Sequence, residues 1–142
     1  MPAATRSDPA LARLQAQAIH TMDEMNPVIG RILDAMAQAG FSERDCFGAR
    51  LSLEEAIVNA LRHGNAGDPK KAVHIRFAVT DRQIVAEVED EGPGFNPYTI
   101  PDPLAPENIE RPGGRGVFLM RHYMNSVHYN SRGNCVHMSK TR

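Results

Sequence analysis

The sequence predicts a two-layer α/β sandwich, and three observations predict it. Residues 73–88 alternate apolar and polar side chains in two runs broken near Asp81 and Arg82, the pattern of a hairpin buried on one face. The stretch "NSVHYNSRGNCVHMSK" closes the chain as a second hairpin, turning at Arg132 and Gly133. Three further segments carry apolar residues at helical spacing, two before the first hairpin and one between the two.

At 142 residues the chain has the size of one domain, expected to span 1–142. Its 42% hydrophobic and 23% charged residues and net charge of −1 describe an ordinary globular protein and offer no basic surface for direct nucleic-acid binding. No apolar run approaches the roughly 18 residues that span a bilayer, and "MPAATRSDPALARLQ" lacks the apolar centre of a secretion signal, so a cytoplasmic location without membrane contact is expected. Cys46 and Cys135 have no CxxC spacing; two free thiols are expected, with a single bridge left open.

In chain order, residues 1–7 are small and polar and read as a disordered tail. "LARLQAQAIHTMDEM" fits either a helix or a strand near 14–20 that would add an edge to the sheet. "NPVIGRILDAMAQAG" places Val28, Ile32 with Leu33, and Met36 on one helical face, with Asn26 as N-cap, Pro27 at the first helical position and Gly40 as the stop. "SERDCFGARLSLEEAIVNALRHGNAGDP" is a longer helix capped by Ser42 and ended by the Gly64, Gly67 and Pro69 cluster. In the first hairpin Val73, Ile75, Phe77 and Val79 alternate, then Ile84, Ala86 and Val88. Residues 96–113 are rich in proline and glycine and form a long loop of the kind used as a lid. "RGVFLMRHYM" is a short helix starting just after Gly113 and Gly114, with Met120 and Met124 as core filler beside His122.

Three places carry chemistry. On the second long helix, Ser52, Glu55, Asn59, Arg62 and His63 gather within about 100° of one another, opposite Leu53, Ile57, Ala60 and Leu61. A carboxylate and a carboxamide one turn apart could hold Mg²⁺ directly or through its waters; a solvated helix face is the plain alternative. Counting by twos from Ile84 through Val88 reaches Asp90 of "DEGPGF", so this carboxylate points to the apolar face and needs hydrogen-bond donors. Gly92 and Gly94 follow, allowing positive φ or close approach of a planar ligand, and an exocyclic purine amine is a suitable donor; a turn at Pro93 around a structural aspartate is the alternative. The third place is "RPGGRG", residues 111–116, which opens a helix where free N–H groups and the helix dipole favour anions, with Arg111 and Arg115 nearby. Neither a Walker loop nor a GxGxxG sequence after a strand is present, and the six histidines match no zinc spacing.

In this order, "EEAIVNALRHGN", "DEGPGF" and "GGRGVFLM" resemble the N, G1 and G2 boxes of the GHKL, or Bergerat, ATP-binding fold. The similarity covers residues 20–142 and is nearest to the anti-sigma-factor serine/threonine kinases of bacterial partner-switching systems. The resemblance implies a mixed, mainly antiparallel sheet of about five strands with three helices on one face, and ATP held between the helices and a lid over 96–113. It implies that Glu55 is the catalytic base, that Asn59 binds ATP through Mg²⁺, and that Asp90 accepts from the adenine amine. It further implies that Gly92 and Gly94 shape the base pocket while Gly113, Gly114, Arg115 and Gly116 bind phosphate. The partners it implies are an anti-sigma-factor antagonist that receives the phosphate and a sigma factor, with the kinase as a homodimer. A module of the same fold that senses nucleotide without transferring phosphate is the alternative.

Overall fold

The computed structural model describes residues 14–93 and 114–142. The expected tail at 1–7, the lid at 96–113, Gly94, Gly113 and the side chain of Arg115 lie outside the described residues.

Of the two readings open for the N-terminal segment, the strand is the one that forms. β1 (Gln15–Ile19) pairs antiparallel with β2 (Val73–Val79), Gln15 opposite Phe77 and Ile19 opposite Val73. Ile19 is fully buried, and the Arg31 guanidinium lies over the Phe77 ring at 5.9 Å while donating to Gln15 and Gln17, which ties this edge strand to the first helix.

α1 (Met25–Gln38) starts earlier than its sequence signals suggest. A 3₁₀ turn (Met22–Glu24) leads into it, and the Glu24 carboxylate accepts from the backbone N–H groups of His20 at 2.9 Å and Thr21 at 3.1 Å. Asn26 and Pro27 therefore sit inside the first turn rather than at its cap, a position proline tolerates because those N–H groups lack an intrahelical acceptor in any case. Val28, Ile32 and Met36 have no exposed surface, whereas Leu33 is half-buried at the margin; burying each of the three contributes about 1.5–3 kcal/mol. Gly40, at φ +95°, ends the helix. α2 (Glu43–Asn59) begins as expected, with Ser42 Oγ accepting from Asp45 N at 3.1 Å.

β2 and β3 (Gln83–Glu89) form the first hairpin, and β4 (Ser126–Tyr129) and β5 (Cys135–Thr141) the second, with Gly133 at φ +74° in its turn. The strand order is β1-β2-β3-β5-β4 and all four pairings are antiparallel. The crossover from β3 through α3 (Gly114–Tyr123) does leave β4 running in the direction of β3, but β5 lies between them. That insertion is why the sheet has no parallel pair among the described strands. α3 includes Gly114 within its first turn, one residue earlier than expected.

The three helices cover one face of the sheet. Ile75, Phe77, Ile84, Ala86, Val88 and Met138 meet Ile32, Leu53, Ile57 and Met120 there, and Met124 is buried as expected. The opposite face is mostly polar, with a small apolar pair of Ala78 and Val85: Arg76 donates to Glu87 at 2.9 Å and to Glu89 at 3.0 Å, and His74 meets Glu91 at 3.0 Å. Cys46 and Cys135 are free and half-buried; burial pushes the Cys135 thiol up to about 11. No helix among the described residues is long and apolar enough to cross a membrane.

Candidate active site

The polar stripe is partly covered from Ser52 to Asn59, while Arg62 and His63 at its far end are exposed. Ser52 is fully buried, and the first turn of α3 lies against the stripe. A Cβ on Gly116 would stand 2.5 Å from Asn59 Nδ2 and 3.0 Å from Glu55 Oε2, so the two helices meet closely here and any side chain at 116 must displace those side-chain ends. The sequence predicted Glu55, Asn59 and Gly116 as site residues, and the fold brings all three together. Two polar atoms on the stripe, Ser52 Oγ and Asn59 Nδ2, are buried without a hydrogen-bond partner among the described residues.

Beyond Asn59 the helix widens into a π-turn (Ala60–Gly64), closed by Asn65 N donating to Ala60 O at 2.8 Å. The widening carries Gly64 onto the end of β3. A Cβ on Gly64 would lie 2.2 Å from Asp90 Cγ and Oδ2, and one on Gly92 would lie 1.8 Å from Gly64 O. Backbone touches backbone at this point. Gly92 has no positive φ, and what approaches it closely here is the Gly64 backbone.

Asp90 is 9% exposed, as its strand parity predicts. Its Oδ1 accepts from Gly92 N at 2.8 Å, and Oδ2 lies beside Gly64 at the pocket wall. Burial pushes the Asp90 carboxyl above the ordinary aspartate range, opposed by the Gly92 N–H. Its backbone is held by β5: Asp90 N donates to Asn134 O at 2.9 Å, and Asn134 Nδ2 donates to Asp90 O at 3.0 Å. Asn65, almost wholly buried, accepts from Glu91 N at 2.8 Å and donates to Ala72 O at 3.0 Å. Arg132 donates to Gly92 O at 3.0 Å. Between these elements lies a small cavity of about 40 Å³, lined by Asn59, His63, Gly64, Val88, Asp90 and Asn134 among others, well below the roughly 300–1,000 Å³ of a typical ligand pocket.

Residues 20–140 match the sequence model of the histidine kinase-like ATPase domain. The chain belongs to that family. It is 28% identical over 103 residues to the serine/threonine-protein kinase BtrW of Bordetella bronchiseptica, covering 71% of this chain and 72% of the relative. It is 29% identical over 112 residues to the serine-protein kinase RsbW of Staphylococcus aureus, covering 73% and 70%.

The ATPase domain's polar groups fit the ligands that membership implies. The Glu55 carboxylate and the Asn59 carboxamide are oxygen donors on one helix face, the ligand type Mg²⁺ prefers, and the orphaned Asn59 amide is a donor that a phosphate oxygen would satisfy. Turning the carboxamide over would present its oxygen at the same place. Asn65, Asn134 and Arg132 were not singled out as site residues from the sequence. The one signal for them was the donor requirement of a buried Asp90 turn, and it did not say which distant residues meet it.

Proposed function

We propose that the ATPase domain is a Mg²⁺- and ATP-dependent serine/threonine protein kinase. In this reading it acts in the cytoplasm on a small anti-sigma-factor antagonist and regulates a sigma factor by partner switching. The observation that carries this reading is the meeting of Glu55 and Asn59 with Gly116 of α3, with Asn59 also lining the cavity that the Asp90 carboxylate faces. Both relatives are named as protein kinases, which supports it.

Adenine enters beside Asp90, its exocyclic amine donating to Oδ2, and the phosphates extend toward Asn59 and the first turn of α3. Asn59 would hold Mg²⁺, which supplies charge neutralisation at the phosphates when bound. Glu55 takes the proton of the acceptor hydroxyl as its oxygen bonds to the γ-phosphorus; the bond to the β–γ bridging oxygen breaks and ADP departs. Gly114 and Gly116, with Arg115 and Gly113, offer backbone and guanidinium donors to the phosphates.

The test is Glu55→Gln, which keeps the side chain's shape and loses its capacity to take a proton. Incubated with γ-labelled ATP and a candidate antagonist, the variant should bind ATP as the parent does and transfer phosphate about 10²–10⁴-fold more slowly. Transfer at the parent rate would remove Glu55 as the base. ATP binding by both proteins, with transfer by neither to any cognate antagonist, would make the chain a nucleotide-sensing module.

A further inference from the structure

Arg132 is an exposed residue at the tip of the β4–β5 turn, outside every box that carries the resemblance and 40 residues from Gly92. It nonetheless reaches across to Gly92 O at 3.0 Å. Gly92 is the residue whose own N–H holds Asp90 Oδ1 at 2.8 Å, and its Cα is pressed from the other side by Gly64 O. Gly92 is thus gripped between the π-turn and the Arg132 guanidinium, and its position sets where Asp90 Oδ2 points.

We propose that Arg132 is a positioning residue of the nucleobase site, holding the Asp90–Gly92 turn from the β4–β5 side so that Asp90 Oδ2 meets an exocyclic amine of the bound base. The proposal rests on the nucleotide reading above. Three features separate this role from ordinary surface decoration. The bond is to the turn that carries the recognition carboxylate rather than to a neighbouring side chain. Arg132 also lines the polar cleft behind Asp90 with His74, Glu89, Glu91 and Asn134, so its charge faces the carboxylate as well as the carbonyl. Finally, the same turn supplies Asn134, which closes a reciprocal pair of hydrogen bonds on the Asp90 backbone, so the arm and its anchor belong to one rigid hairpin.

The charge has a definite sign of effect. Asp90 must be ionised to accept from an amine without offering a proton of its own. Burial pushes its carboxyl up, Glu89 adds to that push, and Arg132 and Lys71 oppose it. Glu91 in the same turn, His74 on β2, His63 at the end of α2 and Tyr129 on β4 are the other titratable groups around it. Removing Arg132 leaves the carboxyl higher still, so ATP binding, full above the Asp90 titration, is lost at a higher pH as acid is added.

Carboxyl ¹³C NMR of the full chain would follow Asp90 through its titration in the free protein, and calorimetry with ATP would give affinity, for the parent, Arg132→Ala and Arg132→Lys. Arg132→Ala should titrate at a higher pH and bind ATP about three- to tenfold more weakly at neutral pH, the range of one lost hydrogen bond. Arg132→Lys, which keeps the charge, should return the titration close to the parent. An unchanged Asp90 titration in Arg132→Ala overturns the proposal, whether or not affinity falls, because the residue would then act on the fold and not on the carboxylate. That readout needs no ligand. Failure of the parent itself to bind ATP would overturn the proposed function instead.

Discussion

At the Asp90 end of the pocket the polar groups of the turn already have partners: Asp90 N and O on Asn134, Glu91 N on Asn65, Gly92 N on Asp90, and Gly92 O on Arg132. Along the stripe between Ser52 and Asn59, Ser52 Oγ and Asn59 Nδ2 are buried with none among the described residues. The contrast is physical. On the proposed function Asp90 reads the edge of a base, and fixing its backbone preorganises it, since a misplaced acceptor loses most of its hydrogen-bond energy. On the proposed function Asn59 is left without an internal partner because one would compete with the phosphate or metal.

Three substitutions would break or sharpen that comparison. The largest effect belongs to Gly92→Ala. The new Cβ would meet Gly64 O and C, which are backbone and cannot turn aside, so one loop must leave the other. A loss of about 3 kcal/mol of stability is expected, together with ATP binding, read by thermal unfolding and calorimetry. A variant with parent-like melting and affinity would show that the two loops separate freely and that the turn is not preorganised.

Asp90→Asn comes next. It should weaken ATP binding by about 1–3 kcal/mol, since a charged acceptor becomes a group that also presents donors. Its effect on the free protein has the opposite sign. Folding raises the Asp90 pKa, so the ionised residue opposes folding above its unfolded-state pKa, and that penalty disappears as pH falls through the folded-state value. The neutral variant should therefore be no less stable than the parent at neutral pH, and the difference should vanish in acid. Denaturant unfolding at neutral and acid pH checks the sign; a variant less stable at neutral pH would mean that Asp90 serves the fold more than the ligand.

Gly116→Ala is expected to be the mildest for the fold. Here the new methyl meets the Asn59 and Glu55 side-chain tips, which can move, and alanine favours the helix by up to about 1 kcal/mol. Stability should hold or rise slightly while Mg²⁺-ATP affinity falls several-fold. Unchanged affinity would place the phosphates away from the α2–α3 contact.

Much of this arrangement could be read from the chain alone, for reasons visible in particular residues. Ser42 and Gly40 marked helix ends because capping and left-handed backbone have local chemical requirements. The inward aim of Asp90 followed from the strand period, which backbone pleating imposes on every strand. The α1 start was misplaced because Asn26 and Pro27 are good signals that a better one, Glu24 accepting from His20 and Thr21, overrides. Ser52 was correctly put on the stripe of Glu55 and Asn59, but its burial could not be read, because an angle around one helix does not say what packs against it.

The sequence by itself determined which residues share a face: Ile84 with Val88 and Asp90, Glu55 with Asn59. Those relations are set by the 2- and 3.6-residue periods of the backbone and need no distant partner. Only the tertiary structure decided that β1 is a strand, since its hydrogen bonds are made with β2, and that the α2 stripe is partly covered by the first turn of α3. It alone chose Asn65, Arg132 and Asn134 as the holders of the Asp90 turn, across sequence separations of 26, 40 and 44 residues. Contacts of that range depend on strand order and register, which many sequences of the same local pattern could satisfy differently and which only the packing of the whole core selects.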